Sequence, residues 1–338
     1  MTRPLALTMG EPAGIGGELS LVAWRRRGEA IPPFFLLDDP ARLRRLAATL
    51  GVDAPIAEIA DPAEAAAVFP RAVPVLPVPL AAAVEPGRPD PANAPAILGA
   101  IREAAALALA GRVAAIVTNP IHKKTLYAAG FRHPGHTEYL AELAGSATPP
   151  VMLLACPGLR VVPVTIHLAM RDALERLTTA AIVETGRVVA AALAADFGIE
   201  HPVLAVAALN PHAGEEGALG REEIEIIQPA VEGLRRAGIR AEGPLPADTL
   251  FHAAARRRSD AVLCMYHDQA LIPLKTIDFE RGVNVTLGLP FVRTSPDHGT
   301  AFALAGRGTA SPESLLAALR LAAEMAASRA AASAPALA

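Results

Sequence analysis

Val203-Leu204-Ala205-Val206-Ala207-Ala208-Leu209-Asn210-Pro211-His212 is an apolar run of strand length that stops at a polar turn. Before it, Ala173–Phe197 carries Ala, Val and Leu at helical spacing. After it, Glu222–Ala237 does the same and is closed by Gly238. Helix, buried strand, helix is the repeating element of a parallel α/β sheet. The pattern recurs. Strand-like runs at Leu5–Met9, Phe34–Leu37, Ala114–Thr118, Val151–Ala155, Val161–Ile166 and Ala261–Met265 alternate with helical stretches that include Ala94–Ala110, Thr137–Leu143 and Ser314–Ala327. The sequence therefore reads as α/β, a mainly parallel sheet with helices on both faces. Pro-rich Arg71–Pro91 reads as an irregular connection. The Ala-rich end Ala326–Ala338, which contains Pro335, reads as a fraying tail.

The composition agrees with an enzyme-sized globule. The 338 residues suit about two domains or one large α/β body. Lys and Arg number 31 against 34 Asp and Glu, a formal charge of −3, which leaves no electrostatic footprint for nucleic acid or an anionic membrane. Aromatic residues are only 4% of a chain that is 52% hydrophobic, so Ala, Val and Leu must build the core. Two cysteines, Cys156 and Cys264, make no disulfide framework and suit a reducing compartment. No apolar run reaches the roughly 18 residues of a membrane span. The apolar start of the chain is cut by Glu11 and Pro12. The expectation is a cytoplasmic protein that binds neither membrane nor nucleic acid.

Chemistry-bearing residues gather where strands stop. Three apolar runs end in His167, His212 and His267, spaced widely enough for a helical crossover each time. Carboxyl ends of parallel strands share one edge, where ligands bind. One imidazole there would only hydrogen-bond a loop carbonyl. Three in the same topological place point to one divalent metal with open coordination positions. Polar neighbours Arg171-Asp172, Asn210 and Asp268-Gln269 are candidates to orient the rings. Pro134-Gly135-His136-Thr137-Glu138 opens a helix and reads as an anion site, with helix capping as the alternative for Thr137. Lys275, Asn284 and Arg293 are a further set able to hold a carboxylate or phosphate. Gly10-Glu11-Pro12-Ala13-Gly14-Ile15-Gly16-Gly17-Glu18 matches neither a Rossmann fingerprint nor a P-loop and reads as a tight turn near a ligand.

That glycine-rich start, Gly135-His136-Thr137-Glu138, Leu209–Glu215, Gly243–Thr249, Met265–Gln269 and Arg281–Ser295 together resemble the motifs of the 4-hydroxythreonine-4-phosphate dehydrogenase family. The matches run in order from residue 5 to about 325. The resemblance implies an isocitrate/isopropylmalate dehydrogenase-like fold of two α/β/α lobes, a homodimer and an NAD- or NADP-dependent step of pyridoxal phosphate biosynthesis. It also implies His167, His212 and His267 as ligands of a Zn, Mg or Co ion, and His136, Thr137, Lys275, Asn284 and Arg293 as substrate contacts. Asp297-His298-Gly299-Thr300-Ala301 with Ala305–Ala310 is similar to the adenosine-binding loop of β-decarboxylating dehydrogenases, which implies cofactor contacts at Asp297, His298, Gly299, Thr300 and Gly306. Three positions depart from the family. Glu11 replaces its usual Asp, Gly17 its usual Pro, and Thr118-Asn119-Pro120 a Thr-Gly-Pro or Thr-Ala-Pro.

The expected reaction oxidises the C3 hydroxyl of a phosphorylated hydroxy-amino acid, followed by decarboxylation. Asp248, Lys123 or a metal-bound hydroxide is the expected base. Paralogues acting on 4-phospho-threonate, 4-phospho-erythronate or a carboxylated cyclohexadiene cis-diol are alternatives, as is a metal-dependent lyase or a metabolite-binding protein. The expected division is 1–130 with 285–338 as the NAD-binding lobe, and 131–284 as the metal, substrate and dimerisation lobe.

Overall fold

Leu5–Thr8 (β1) and Phe34–Asp38 (β2) are buried at every position, as strands covered on both faces must be. They pair in parallel, Leu5 opposite Phe34. Ile56–Glu58 (β3), Val73–Pro77 (β4), Ile116–Thr118 (β5) and, from late in the chain, Arg293–Pro296 (β12) join them in the order β3-β4-β2-β1-β5-β12, parallel throughout. These strands belong to a compact unit made of residues through Pro150 with Leu289–Ala326. The computed structural model describes residues 3–333.

Helices cover this sheet for local reasons. Asp39 caps Pro40–Leu50 by accepting the Arg42 N–H at 2.8 Å, and Gly51 ends the helix in a left-handed conformation. Ala94–Leu109 turns Ile97, Ile101, Ala104 and Ala105 into a core that includes Ala6, Phe35, Ile116, Leu140 and Phe291. With so few aromatic rings, close packing of Ala and branched side chains fills that interior.

Val151–Gly288, with the residues from Ala327, forms the second unit. Val151–Cys156 (β6) and Leu159–Thr165 (β7) make an antiparallel hairpin turned at Gly158, whose φ is +77°. Val203–Ala207 (β8), Arg240–Leu245 (β9) and Ala261–Tyr266 (β10) continue it in parallel as β7-β10-β8-β9, while Val283–Leu287 (β11) pairs antiparallel with β6. Leu154, Val161, Ala205, Val262, Cys264 and Leu274 form its core.

Three sequence expectations change. The Pro-rich Arg71–Pro91 contains β4, in which Val73, Val75 and Leu76 between Pro74 and Pro77 keep enough ladder groups to pair with β2 and β3. The single helix expected over Ala173–Phe197 is two, Met170–Arg176 and Thr179–Phe197, bent by 86°. Thr178 makes the break by capping the second helix, its hydroxyl accepting the Ala181 N–H at 3.1 Å. The last helix runs Glu313–Ala332, so Ala326 and its neighbours are helical rather than frayed. Pro335 and the rest of the expected tail lie outside the described residues.

Candidate active site

Arg293 opens β12 opposite Ile116, one turn of ladder from the end of β5. It is only 3% exposed, and its Nη2 donates to Thr118 Oγ1 at 2.6 Å. Burial pulls the guanidinium down to about 10, opposed by the Glu138 charge, so it is still cationic at neutral pH. The helix His136–Leu143 begins beside it, with Gly135 at the N-cap and no side chain capping the first turn. A Cβ on Gly135 would stand 3.7 Å from Lys123 Nζ, which places that ammonium at the helix start. His136 is held well below the usual imidazole range, first by burial and then by the charges of Arg293 and Lys123. Its Nε2 is shut away from solvent with no hydrogen-bond partner. A neutral imidazole, two cations and a helix N-terminus converge, which is the donor chemistry of a phosphate dianion. His136, Thr137 and Arg293 are thus brought together as substrate candidates, and Lys123, expected as a base, joins them.

The histidines sit in the second unit. His167 follows β7, His212 follows β8 by five residues, and His267 begins the helix directly after β10. β10 lies between β7 and β8, so all three follow the carboxyl ends of adjacent parallel strands. Thr165 Oγ1 donates to Met265 O at 2.7 Å and ties the ends of β7 and β10. Gln269 accepts the Met265 N–H and donates to Ala208 O, which ties β10 to β8. His167 and His267 rings stand 5.8 Å apart at their centroids. They line a pocket of about 240 Å³ with Thr165, Leu168, Tyr266 and Asp268.

His267 Nδ1 bonds Asp268 Oδ1 at 2.7 Å, and His212 Nδ1 bonds Glu215 Oε1 at 2.6 Å. Each carboxylate therefore occupies Nδ1 and leaves Nε2 as the ring nitrogen available to a ligand. The bond and charge of Glu215, with the charge of Asp248, push His212 up from the usual imidazole range, so the expected base Asp248 lies within electrostatic reach of it. Asn210, expected to orient a ring, is taken up by Glu222 and Glu223 instead. The donor chemistry suits a divalent ion, and two of the three rings are neighbours. Among the described residues, however, no group of three His, Cys, Asp or Glu side chains stands close enough to hold one. His212 rides on a turn, His212–Glu216, whose residues all have positive φ, and its ring is anchored to Glu215. Lys275 and Asn284 lie in this unit too. Lys275 Nζ lies 5.6 Å from the Phe279 ring centroid, and Asn284 Oδ1 is buried without a hydrogen bond.

The glycine-rich start folds as a turn beneath the late loop 297–309. Gly10, with φ +64°, brings the chain against Pro120, and the Glu11 N–H donates to Pro120 O at 2.8 Å. The Ile15 N–H donates to Thr300 O at 3.1 Å. His298 Nδ1 bonds Gly299 O at 2.9 Å, which leaves Nε2 a bare acceptor, buried and without a partner. A Cβ at Gly299 would meet open space. These features suit a ligand that brings a donor to His298. Asp297 is held through its N–H by Ser314, and the Gly306 N–H is used within the protein. Two family departures find their reasons here. A Cβ at Gly17 would stand 2.6 Å from the Arg42 guanidinium, and Asn119 fills the space above Gly16 while donating to Thr8 O and Ser20 Oγ.

Known proteins resemble this chain along nearly its whole length. The 4-hydroxythreonine-4-phosphate dehydrogenase of Bradyrhizobium diazoefficiens is 57% identical over 339 residues, covering 97% of this chain and 98% of that protein. The protein of the same name from Caulobacter vibrioides is 56% identical over 333 residues, covering 97% and 99%. The solved structure of 4-hydroxythreonine-4-phosphate dehydrogenase from Klebsiella pneumoniae has a TM-score of 0.87 at 38% identity, over 96% of this chain and all of that one. The fold is accordingly the α/β fold of those dehydrogenases, related to the isopropylmalate dehydrogenase-like class. Residues 30–322 match the family of the pyridoxal phosphate biosynthetic protein PdxA, and the chain belongs to that family.

Proposed function

We propose that this chain is an oxidoreductase of pyridoxal phosphate biosynthesis that oxidises the C3 hydroxyl of 4-phosphooxy-L-threonine. Loss of the carboxylate as carbon dioxide then leaves 3-amino-2-oxopropyl phosphate. The observation that carries this reading is the meeting of buried Arg293, half-buried His136 and exposed Lys123 at one helix start. It offers more positive charge and more donors than one carboxylate needs. Lys275 and Asn284 are proposed as further substrate contacts.

His167, His212 and His267 would hold one divalent ion, of zinc, magnesium or cobalt, and the loop at Asp297, His298, Gly299, Thr300 and Gly306 would hold NAD or NADP. Bound, the metal supplies Lewis acidity at the oxygen and the nucleotide accepts hydride. The protein's own part is to position and to move a proton. Arg293 and the His136 helix fix the phosphate end. With Lys123 engaged as a cation at the phosphate end, Asp248 is the proposed acceptor of the hydroxyl proton. The first unit is proposed as the cofactor-binding lobe and the second as the metal-binding and dimerisation lobe. Leu168 and Met170 of the histidine pocket and Leu174, Ile272 and Phe279 of the same unit leave much apolar surface bare, Phe279 being 76% exposed. A second copy of this chain is the proposed occupant. The enzyme is proposed to work in the cytoplasm.

The test is NADH formation against a panel of phosphorylated hydroxy acids and an unphosphorylated cyclic diol, with and without chelator. The phosphorylated hydroxy-amino acid should be the best substrate, and chelator should suppress its turnover. Faster turnover of the diol would overturn the reading.

A further inference from the structure

Glu18 lies in the first turn of the helix Gly16–Arg25 and is 2% exposed. A carboxylate so placed has to find donors or meet the full cost of desolvation. Its donors come from far along the chain. The Gly306 N–H donates to Glu18 Oε2 at 2.9 Å, and the Gly308 N–H faces the same carboxylate, whose Oε1 is buried without a hydrogen bond. Gly306 and Gly308 have φ of +76° and +65°, a left-handed turn that aims the Gly306 N–H at the carboxylate while the Arg307 N–H donates to Leu304 O. The protein thus seats the turn on its own buried side chain.

The second end of the same loop is also tied. Thr300 O accepts the Ile15 N–H three residues before Glu18, so one short helix start grips the loop at two points. A Cβ at Gly306 would meet Pro86 Cβ at 2.9 Å, which shows how closely the turn is seated. Directly before the Thr300 tie lies His298–Gly299, with its buried acceptor and its open space.

We propose that Glu18 is a positioning residue for the cofactor, the internal counter-ion that holds Gly306-Arg307-Gly308 and so presents the 297–309 loop to a nucleotide. This rests on the reading of that loop as the NAD site. Glu18 does not touch the reacting atoms, so its loss should weaken nucleotide binding while leaving the anion site intact.

The experiment measures NAD affinity by calorimetry, KM for the phosphorylated substrate, and amide hydrogen exchange at Gly306 and Gly308 in wild type, Glu18→Ala, Glu18→Gln and Gly306→Ala. Losing the Gly306 hydrogen bond to a charged acceptor predicts NAD binding weaker by about tenfold or more in Glu18→Ala. Substrate KM should change less than about twofold, since the anion site keeps all its donors. Glu18→Gln keeps one carbonyl acceptor and should recover much of the affinity. If Glu18→Ala fails to fold, Glu18→Gln and Gly306→Ala carry the test, each weakening NAD binding and speeding exchange at Gly308. Faster exchange with unchanged NAD affinity would overturn the proposal while the loop's tie stood. Wild-type protein that binds no NAD would overturn the cofactor reading, and this proposal with it.

Discussion

Arg293 shows how a single side chain acquires its role from its surroundings. In the sequence it is one cation among many; in the fold it is buried, bonded to Thr118 Oγ1 and set against a neutral His136. Arg293→Ala should lower kcat/KM for the phosphorylated substrate by about 2–5 kcal/mol, with NAD affinity unchanged. Arg293→Lys should recover little, because an ammonium cannot keep the Thr118 bond and a phosphate contact in one plane. Removing this charge should also raise the His136 titration in an NMR experiment, though not to the ordinary range, since burial is the larger cause. His136 further makes a pH prediction with a definite sign. Its folded pKa is depressed, so the unfolded chain binds the proton more readily. The stability it contributes is complete above about pH 6.5, the unfolded value, and is lost as pH falls from there toward the folded value. Thermal melts between neutral and mildly acid pH should fall accordingly, and His136→Gln should flatten the fall. The identity of this residue was legible in Gly-His-Thr-Glu at a helix start. Its neutrality was not, because Arg293 and Lys123 reach it from other parts of the chain.

The glycine-rich turn is the element on which the first unit's loops are assembled. Gly10 combines a left-handed backbone with a site where a Cβ would stand 2.6 Å from Pro120 O. Gly10→Ala should therefore cost at least about 2 kcal/mol in urea unfolding, from strain and backbone clash together. The turn is braced from a second side by Arg42, which is 3% exposed, donates to both Asp38 oxygens and reaches Pro12 O at 2.7 Å. Arg42→Ala leaves Asp38 as a buried unpaired carboxylate and should cost about 3–5 kcal/mol. Gly17→Pro, which restores the family's usual residue, should destabilise this chain, because its Cβ would press on the Arg42 guanidinium held by Asp38. Spacing alone located the turn and its neighbouring strand and helix. It missed β3, β4, β9, β11 and β12, because short strands with Pro, Gly, Asn, Glu or Arg in them carry little periodic signal and exist through their neighbours' hydrogen bonds.

At the scale of the molecule, the chain builds one compact unit from both its early and its late residues and another largely from its middle. The second unit places three histidines after the ends of β7, β8 and β10. If one ion uses all three, His167→Ala, His212→Ala and His267→Ala should each lower the metal retained per chain, measured by elemental analysis, with the fold preserved by circular dichroism. Metal retention unchanged in His212→Ala would exclude that residue as a ligand. The bare apolar side chains of this unit lead to a test by light scattering. Wild type should have the mass of a dimer, and Phe279→Asp should shift it toward monomer without lowering the melting temperature of the protomer.

What the sequence determined by itself was local or recurrent: strand-length apolar runs, helical spacing, histidines placed where strands stop, and ordered motifs shared with a family. Those signals survive in one dimension because strand and helix periods are set within a few residues. The tertiary structure alone decided which groups meet. It joined β12 to β5 and so buried Arg293 beside Thr118, and it drew the Gly306 turn onto Glu18. Protonation states, buried counter-ions and strained turns depend on desolvation by residues distant in sequence, and desolvation has no period to read.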